Sequence, residues 1–356
     1  MTDRQQARRK KLGDGQRRNS PVFKDFVGNF PNLASAIHDG HMNSKFTEMS
    51  VAFGSLTAMR GRTLFLQVAR LFRDPLVVLV FGLAVLCALV LPQHFFGLLS
   101  FYSNLLPPAV LLILLILLAQ AIMRSPASPL TAFVAIARHT QIRIWMTLPL
   151  VVIFLACFTT LKVNIPAVVP FFADPAIAAV DAWLHGTDAW RLTRFLPAEA
   201  SLVIDFFYSQ IWFIVAFATL LFAALGHSTP EFRRFAWATV LIYILLGFVA
   251  ATMMSSVGPV FYDRFYPQAR FHDLVTLIEA DPYAIGQKIY MHYLYDTYRS
   301  QTVAIGTGIS AMPSIHVGVA VLTAWFLTSR SMAWTISGWA FAAITLFASV
   351  YTGWHY

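Results

Sequence analysis

Seven apolar runs, near residues 75–92, 105–123, 144–161, 203–225, 235–254, 312–330 and 336–354, limit what this chain can become. Each approaches the ~20 residues that an α-helix needs to cross a hydrocarbon layer. Inside such a layer the backbone must satisfy its own N–H and C=O groups, which a helix does locally. The expected fold class is therefore an all-α integral membrane protein, a polytopic helical bundle with about six or seven spans. Composition agrees. Only 12% of the 356 residues are charged and 58% are hydrophobic, whereas soluble domains carry roughly 25% charged residues.

Charge orients the bundle. Thirteen of the 26 basic residues precede the first run, from Arg4 to Arg73. Others fall in alternate loops: Arg124, Arg138 and Arg143, then Arg233 and Arg234, then Arg330. The connecting segment QHFFGLLSFYSN, read as a loop between the first two spans, has none. Positive loops stay on the cytoplasmic side, so the N-terminus is expected in the cytoplasm and loops 162–202 and 255–311 outside, in a bacterial inner or other plasma-type membrane. The outer loops carry Lys162, Arg191, Arg194, Arg264, Arg270, Lys288 and Arg299 against that rule, which makes them candidates for binding something anionic.

Three segments are expected. Residues 1–74 form a basic cytoplasmic portion. Its Met49–Arg73 stretch mixes apolar residues with arginines as a juxtamembrane amphipathic helix does, suited to anionic lipid heads. A plain topology anchor explains that stretch equally well. No aromatic–basic pattern accompanies the charge, so no nucleic acid is expected as a partner. Residues 75–163 hold the first spans, and 164–356 the chemistry. Within the last, DPAIAAVDAWLHG, with Pro175 at a helix-start position, reads as a short helix lying on the outer interface. Cys87 and Cys157 lie inside apolar runs and read as small buried hydrophobes.

Two histidines stand apart. His316 opens the sixth run and His355 closes the seventh. The runs form a hairpin, so both rings return to one face of the membrane. If the turn is tight at Arg330, helical rise leaves His355 roughly 16 Å further along, and tilt or a break at Gly353 must absorb it. An ionisable group beside a span is costly and commonly functional, although a lone histidine can simply bond a neighbouring carbonyl.

The surroundings of these histidines carry a resemblance. Pro313-Ser314-Ile315-His316 resembles the P-S-G-H signature of the type-2 phosphatidic acid phosphatase superfamily. Val350-Tyr351-Thr352-Gly353-Trp354-His355-Tyr356 is similar to its third signature, S-R-x5-H-x3-D. Departures are plain. Ile315 replaces glycine, Ala348-Ser349 stands where S-R is expected, K-x6-R-P is absent, and the final aspartate would fall beyond Tyr356. The expectation is a catalytic segment cut short, with an eighth span to follow. The W-H-Y ending and GPVFYDRF, Gly258 to Phe265, resemble the inositol phosphorylceramide synthase-like branch, which moves phosphate headgroups between lipids.

The resemblance implies a lipid phosphatase or phosphotransferase whose membrane lipid substrate reacts at the extracytoplasmic face. His355 would attack phosphorus and become phosphohistidine, and His316 would protonate the departing alcohol. Both roles suit imidazole, whose pKa lies near neutrality. A neutral His355 also needs an acceptor on its other nitrogen, and Asp205 and Asp263 are the stand-ins for the missing aspartate. Ser314 at the helix start would help bind phosphate. Arg264 is the first choice for an added clamp, ahead of Arg299 and Lys288, although each reads more readily as an interfacial lipid-anchoring charge. Tyr351 and Gly353 join through the third signature. Tyr262, Tyr208 and Trp212 could line a path for lipid, although an interfacial aromatic belt is the more ordinary explanation. No DxD, HExxH or carboxylate cluster marks a metal site, so no metal or cofactor is expected. A transporter, or a catalytically inactive protein of the same fold, is the alternative. Polar residues gathered at one face, without a repeat, favour the enzyme.

Overall fold

A computed structural model describes residues 73–356, apart from 140–141 and 227–228. The amphipathic segment expected to meet anionic lipid heads lies outside the described residues. Every regular element described is a helix. All seven apolar runs are helical: α1 (Pro75–Val90), α3 (Leu106–Arg124), α5 (Ile142–Val163), α9 (Ala200–Phe206) continuing through a π-helical turn (Phe207–Ile211) into α10 (Trp212–Gly226), α11 (Thr229–Leu241) continuing through a π segment (Ile242–Ala250) into α12 (Ala251–Met253), α16 (Ile315–Thr328) and α17 (Met332–Tyr351). Among the described residues, five stretches are long and apolar enough to cross a bilayer: Pro92–Arg124, Trp145–Val168, Ala200–Leu225, Pro230–Met253 and Met332–Tyr351. α1 and α16 are apolar but shorter.

One connection differs from expectation. The stretch read as a loop after the first span is a helix, α2 (Pro92–Ser103), leading directly towards α3. Proline at its first turn needs no donor and presets the backbone. Phe95, Leu98 and Tyr102 then recur at helical spacing and bury themselves against Val152, Ala156 and Cys157 of α5. A further helix, α4 (Pro129–His139), lies between the second and third runs.

Packing is that of a bundle whose outside is apolar. Leu89 is 77% and Trp325 71% exposed, while Thr160, Thr323 and Thr345 are fully buried. Thr160 and Thr345 return their hydroxyls to carbonyls one turn back, Ala156 and Phe341, which satisfies them without a partner helix.

A cap of short helices crowns one end: α7 (Asp174–His185), α8 (Ala189–Leu192), α13 (Pro259–Phe265), α14 (His272–Ala280) and α15 (Ile285–Ser300), with α6 (Ile165–Val168) preceding them. The short helix expected after Pro175 is α7. Its outward face is apolar (Val180, Trp183, Leu184) and its inward face carries Asp174 and Asp181. The cap has its own apolar core, including Val257, Phe261, Phe271, Leu274 and Met291, against which Trp354 and Tyr356 pack.

Asp174 binds the cap together. Fully buried, its carboxylate accepts the Val257 N–H (3.0 and 2.9 Å), the Gly258 N–H (2.8 Å), the Tyr266 hydroxyl (2.9 Å) and the Tyr356 hydroxyl (2.6 Å).

Candidate active site

The site is built by the α16–α17 hairpin and the cap above it. Ser314 caps α16 with its hydroxyl directed at the Val317 N–H (3.4 Å), which places His316 in the first turn. Ser331 caps α17 in the same way, so the turn between the helices is tight. α17 has 20 residues against 14 in α16, a difference of about 9 Å of rise. The chain absorbs it at the expected break. Gly353 takes φ +70°, and the His355 N–H reaches back to the Ser349 carbonyl (3.2 Å). Beyond Gly353 the side chains alternate. Trp354 and Tyr356 enter the cap core, while His355 turns towards Ser314.

His355 is buried, at 8% exposure. Its Nδ1 is bonded to the Ala311 carbonyl, and its Nε2 lies 3.1 Å from Ser314 Oγ. A carbonyl can only accept, so Nδ1 carries the proton and Nε2 presents a lone pair. Burial pushes the imidazole down to about 4; the Ala311 bond opposes that shift and the positive charge of Lys162 adds to it. The ring is therefore neutral at neutral pH.

His316 is gripped by the π-helical turn. Tyr208 stacks on its ring (centroids 4.6 Å apart, planes at 21°), and Trp212 lies against it at 4.1 Å while donating its indole N–H to the His316 carbonyl (2.8 Å). These two aromatics, expected to line a lipid path or to form an interfacial belt, are packed against the histidine as its walls. Ile315 packs where the opposing π segment has Gly247; a methyl there would overlap Ile315 and come within 2.8 Å of Phe158. The larger residue in the signature is thus matched by a smaller one across the interface.

The two aspartates proposed as orienting acceptors for His355 are occupied elsewhere, which corrects that expectation. Asp205 accepts the Gln287 N–H (2.9 Å) at the start of α15, and Asp263 accepts the Phe271 N–H (3.1 Å). Carboxylates satisfy free N–H groups at helix starts and turns well, and these two do so while the Ala311 carbonyl takes the role at His355. Tyr262 is buried in the cap core against Phe271 and Tyr266, not along a lipid path. Tyr351 bonds Ser201 through its hydroxyl (2.7 Å) and supports Arg194, which donates to its carbonyl (2.8 Å).

Most cations of the loops expected outside are likewise engaged. Arg191 pairs with Asp273 and Arg270 with Asp188. Lys288 donates to the Asp281 carbonyl, and Arg264 lies over the Tyr295 ring. Lys162 differs. It ends α5, packs beside Gly308, and stands within electrostatic reach of both His316 and His355, with no ion pair among the described residues. The sequence offers Lys162 only as one of seven cations, since its proximity depends on how α5 meets the 302–311 loop. Among the described residues, no group of three or more His, Cys, Asp or Glu is arranged to hold a metal.

Residues 175–356, just over half of the chain, match the family model of the PAP2 superfamily. The chain belongs to the PAP2 superfamily. Both histidine signatures and nearly all of the cap lie inside the match, whereas α1–α5, Lys162 and Asp174 precede it. No curated protein and no solved structure matches significantly. As a PAP2 protein with several apolar helices, the chain is an integral-membrane phosphatase or phosphotransferase.

Proposed function

We propose that this PAP2 protein transfers a phospho-headgroup between membrane lipids through a phosphohistidine on His355, at the extracytoplasmic face. The observation that carries the reading is the ring of His355, proton held on Nδ1 by Ala311 and Nε2 turned to Ser314, two residues from His316. In the first half-reaction Nε2 attacks phosphorus. The Nε2–P bond forms, the bond from phosphorus to the lipid alkoxide breaks, and the alkoxide takes a proton from His316. In the second, an acceptor hydroxyl attacks the phosphohistidine and returns its proton to His316. Ser314, the N–H groups opening α16 and Lys162 hold the phosphate charge.

Transfer to a second lipid, rather than to water, is favoured by the W-H-Y ending and the Gly258–Phe265 segment, which resemble the inositol phosphorylceramide synthase-like branch. That segment forms α13, whose Val260 N–H bonds the Gly353 carbonyl (3.0 Å) beside His355. The positive loops on the opposite side support the extracytoplasmic placement.

The test uses the purified full chain in lipid, given phosphatidylinositol labelled in its phosphate, with and without ceramide, and separately phosphatidate. The expected result is a new phospholipid that requires ceramide, together with an acid-labile, base-stable label on the protein that His355→Ala abolishes. Free phosphate from phosphatidate alone would reduce the reading to hydrolysis. Undiminished turnover in H355A would remove the nucleophile.

A further inference from the structure

Tyr208 is used above only for the face of its ring, yet its hydroxyl is the more unusual group. The residue is 6% exposed, and the hydroxyl has no hydrogen-bond partner among the described residues. Buried hydroxyls are ordinarily bonded, because leaving one unpaired forfeits its hydration without return. Its polar neighbour is Ser314, the residue that His355 Nε2 also faces. The backbone that presents it is a π-helical turn, Phe207–Ile211, inserted between α9 and α10, and single π turns recur at functional positions. Here the turn sets Tyr208 and Trp212 together on His316. The ring is thereby fixed by stacking, and the O–H, which makes no hydrogen bond of full geometry and has Ser314 as its polar neighbour, is available to a group bound at Ser314.

We infer that Tyr208 is a further catalytic residue, whose O–H donates a hydrogen bond to a non-bridging oxygen of the phosphate undergoing transfer. This rests on the phosphoryl-transfer reading above and adds a donor to it. The third signature lacks its arginine here, with Ala348-Ser349 at that place, and a preorganised donor aimed at developing charge in a water-poor site supplies part of what an absent cation would. No proton leaves Tyr208; the bond shortens as charge accumulates on the phosphoryl oxygens.

The experiment titrates orthovanadate, which adopts a five-coordinate form resembling phosphoryl transfer, into the full-length protein in detergent, with thermal melting as the readout. Wild type, Tyr208→Phe and His355→Ala are compared. Wild type is expected to show a saturable rise in Tm, H355A none, and Y208F an affinity weaker by about tenfold or more, as for loss of a hydrogen bond to a charged group. Y208F keeps the stacked ring, so its ligand-free Tm should equal that of wild type. Wild-type affinity in Y208F would overturn the donor role and leave the phosphohistidine reading standing. A lowered ligand-free Tm with unchanged vanadate affinity would assign the hydroxyl to folding and overturn it equally. Absence of binding by wild type, or binding by H355A equal to wild type, would bring down the phosphoryl-transfer reading and the Tyr208 role with it.

Discussion

His355 Nε2 lies 3.1 Å from the hydroxyl of Ser314, while the other nitrogen of the same ring is tied to the carbonyl of Ala311. One imidazole therefore spans the short segment that leads into α16 and fastens the end of α17 to the start of its hairpin partner. The same contacts that locate the ring choose its tautomer, so position and reactivity come from one arrangement. His316 is positioned independently, by the aromatic walls of the π turn.

This independence makes the second histidine separable by leaving group. His316→Ala should lower transfer from a lipid with an alkoxide leaving group by about 10²–10⁴-fold, the range for a positioned acid. The loss should be much smaller for a nitrophenyl phosphodiester, whose leaving group needs no proton. Rates on the two substrates with H316A and wild type check it; equal losses would exclude the acid role.

Acidity should act on His355 in a defined window. Its folded value, about 4, lies below the ordinary 6.5 because burial disfavours the charged ring. A depressed value means that the unfolded chain takes the proton first. Stability is thus complete above pH 6.5 and falls between 6.5 and 4, by about 3 kcal/mol at the lower end. The acid limb of activity due to this ring should correspondingly lie near pH 4 rather than 6.5. Melting curves of wild type and His355→Gln across this range should converge as the pH drops; parallel curves would contradict the assignment.

Asp174 should matter beyond its own neighbourhood. It bonds the Tyr356 hydroxyl, and Tyr356 follows His355 directly. Asp174→Asn replaces an acceptor oxygen with a donor NH₂ facing donors that have no alternative partner, a cost of about 1–3 kcal/mol for each buried group left unmet. Tm should fall, and activity should fall with it. Tyr356→Phe should cost less, and in a D174N background it should cost almost nothing more. A double-mutant cycle on Tm measures that coupling, and strict additivity would sever Asp174 from Tyr356.

Ile315 and Gly247 should behave as a pair. Gly247→Ala forces its methyl onto Ile315 and Phe158, and Ile315 lies between Ser314 and His316. Overpacking of this kind costs about 1–3 kcal/mol. Activity should drop in G247A and recover in part when Ile315→Ala is added. Failure of the second change to restore any activity would show that the strain is taken up elsewhere.

Much of this was legible in the residues, for physical reasons. Crossing a bilayer demands length and apolarity, both visible in composition, and the seven runs are all helical. α2 was misread because QHFFGLLSFYSN contains several polar residues, although Phe95, Leu98 and Tyr102 already stand at helical spacing. Ser314, His316 and His355 were recognisable by side-chain type. The acceptor on His355 was not, since every residue has a carbonyl and nothing in a sequence distinguishes that of Ala311. Asp205 and Asp263 were misplaced for the complementary reason: a carboxylate that satisfies backbone N–H groups looks, in sequence, like one that orients an imidazole.

Gly353 offers the strictest check on the geometry, because it is where the unequal helices of the hairpin are reconciled. Its φ of +70° is costly for a residue with a Cβ, by about 1–2 kcal/mol. An added methyl would also come within 2.7 Å of Leu274, in the cap core. Gly353→Ala should therefore lower Tm and displace His355 from Ser314. Gly353→Asn, which visits this region more readily, should relieve the backbone part but not the collision. Adding Leu274→Ala to G353A opens the space while the backbone strain remains, so Tm stays low. If His355 placement governs the reaction, activity should track Nε2 accessibility, measured by modification with diethyl pyrocarbonate, across all three variants. Full activity in G353A with altered His355 modification would mean that the chemistry does not depend on where this ring sits.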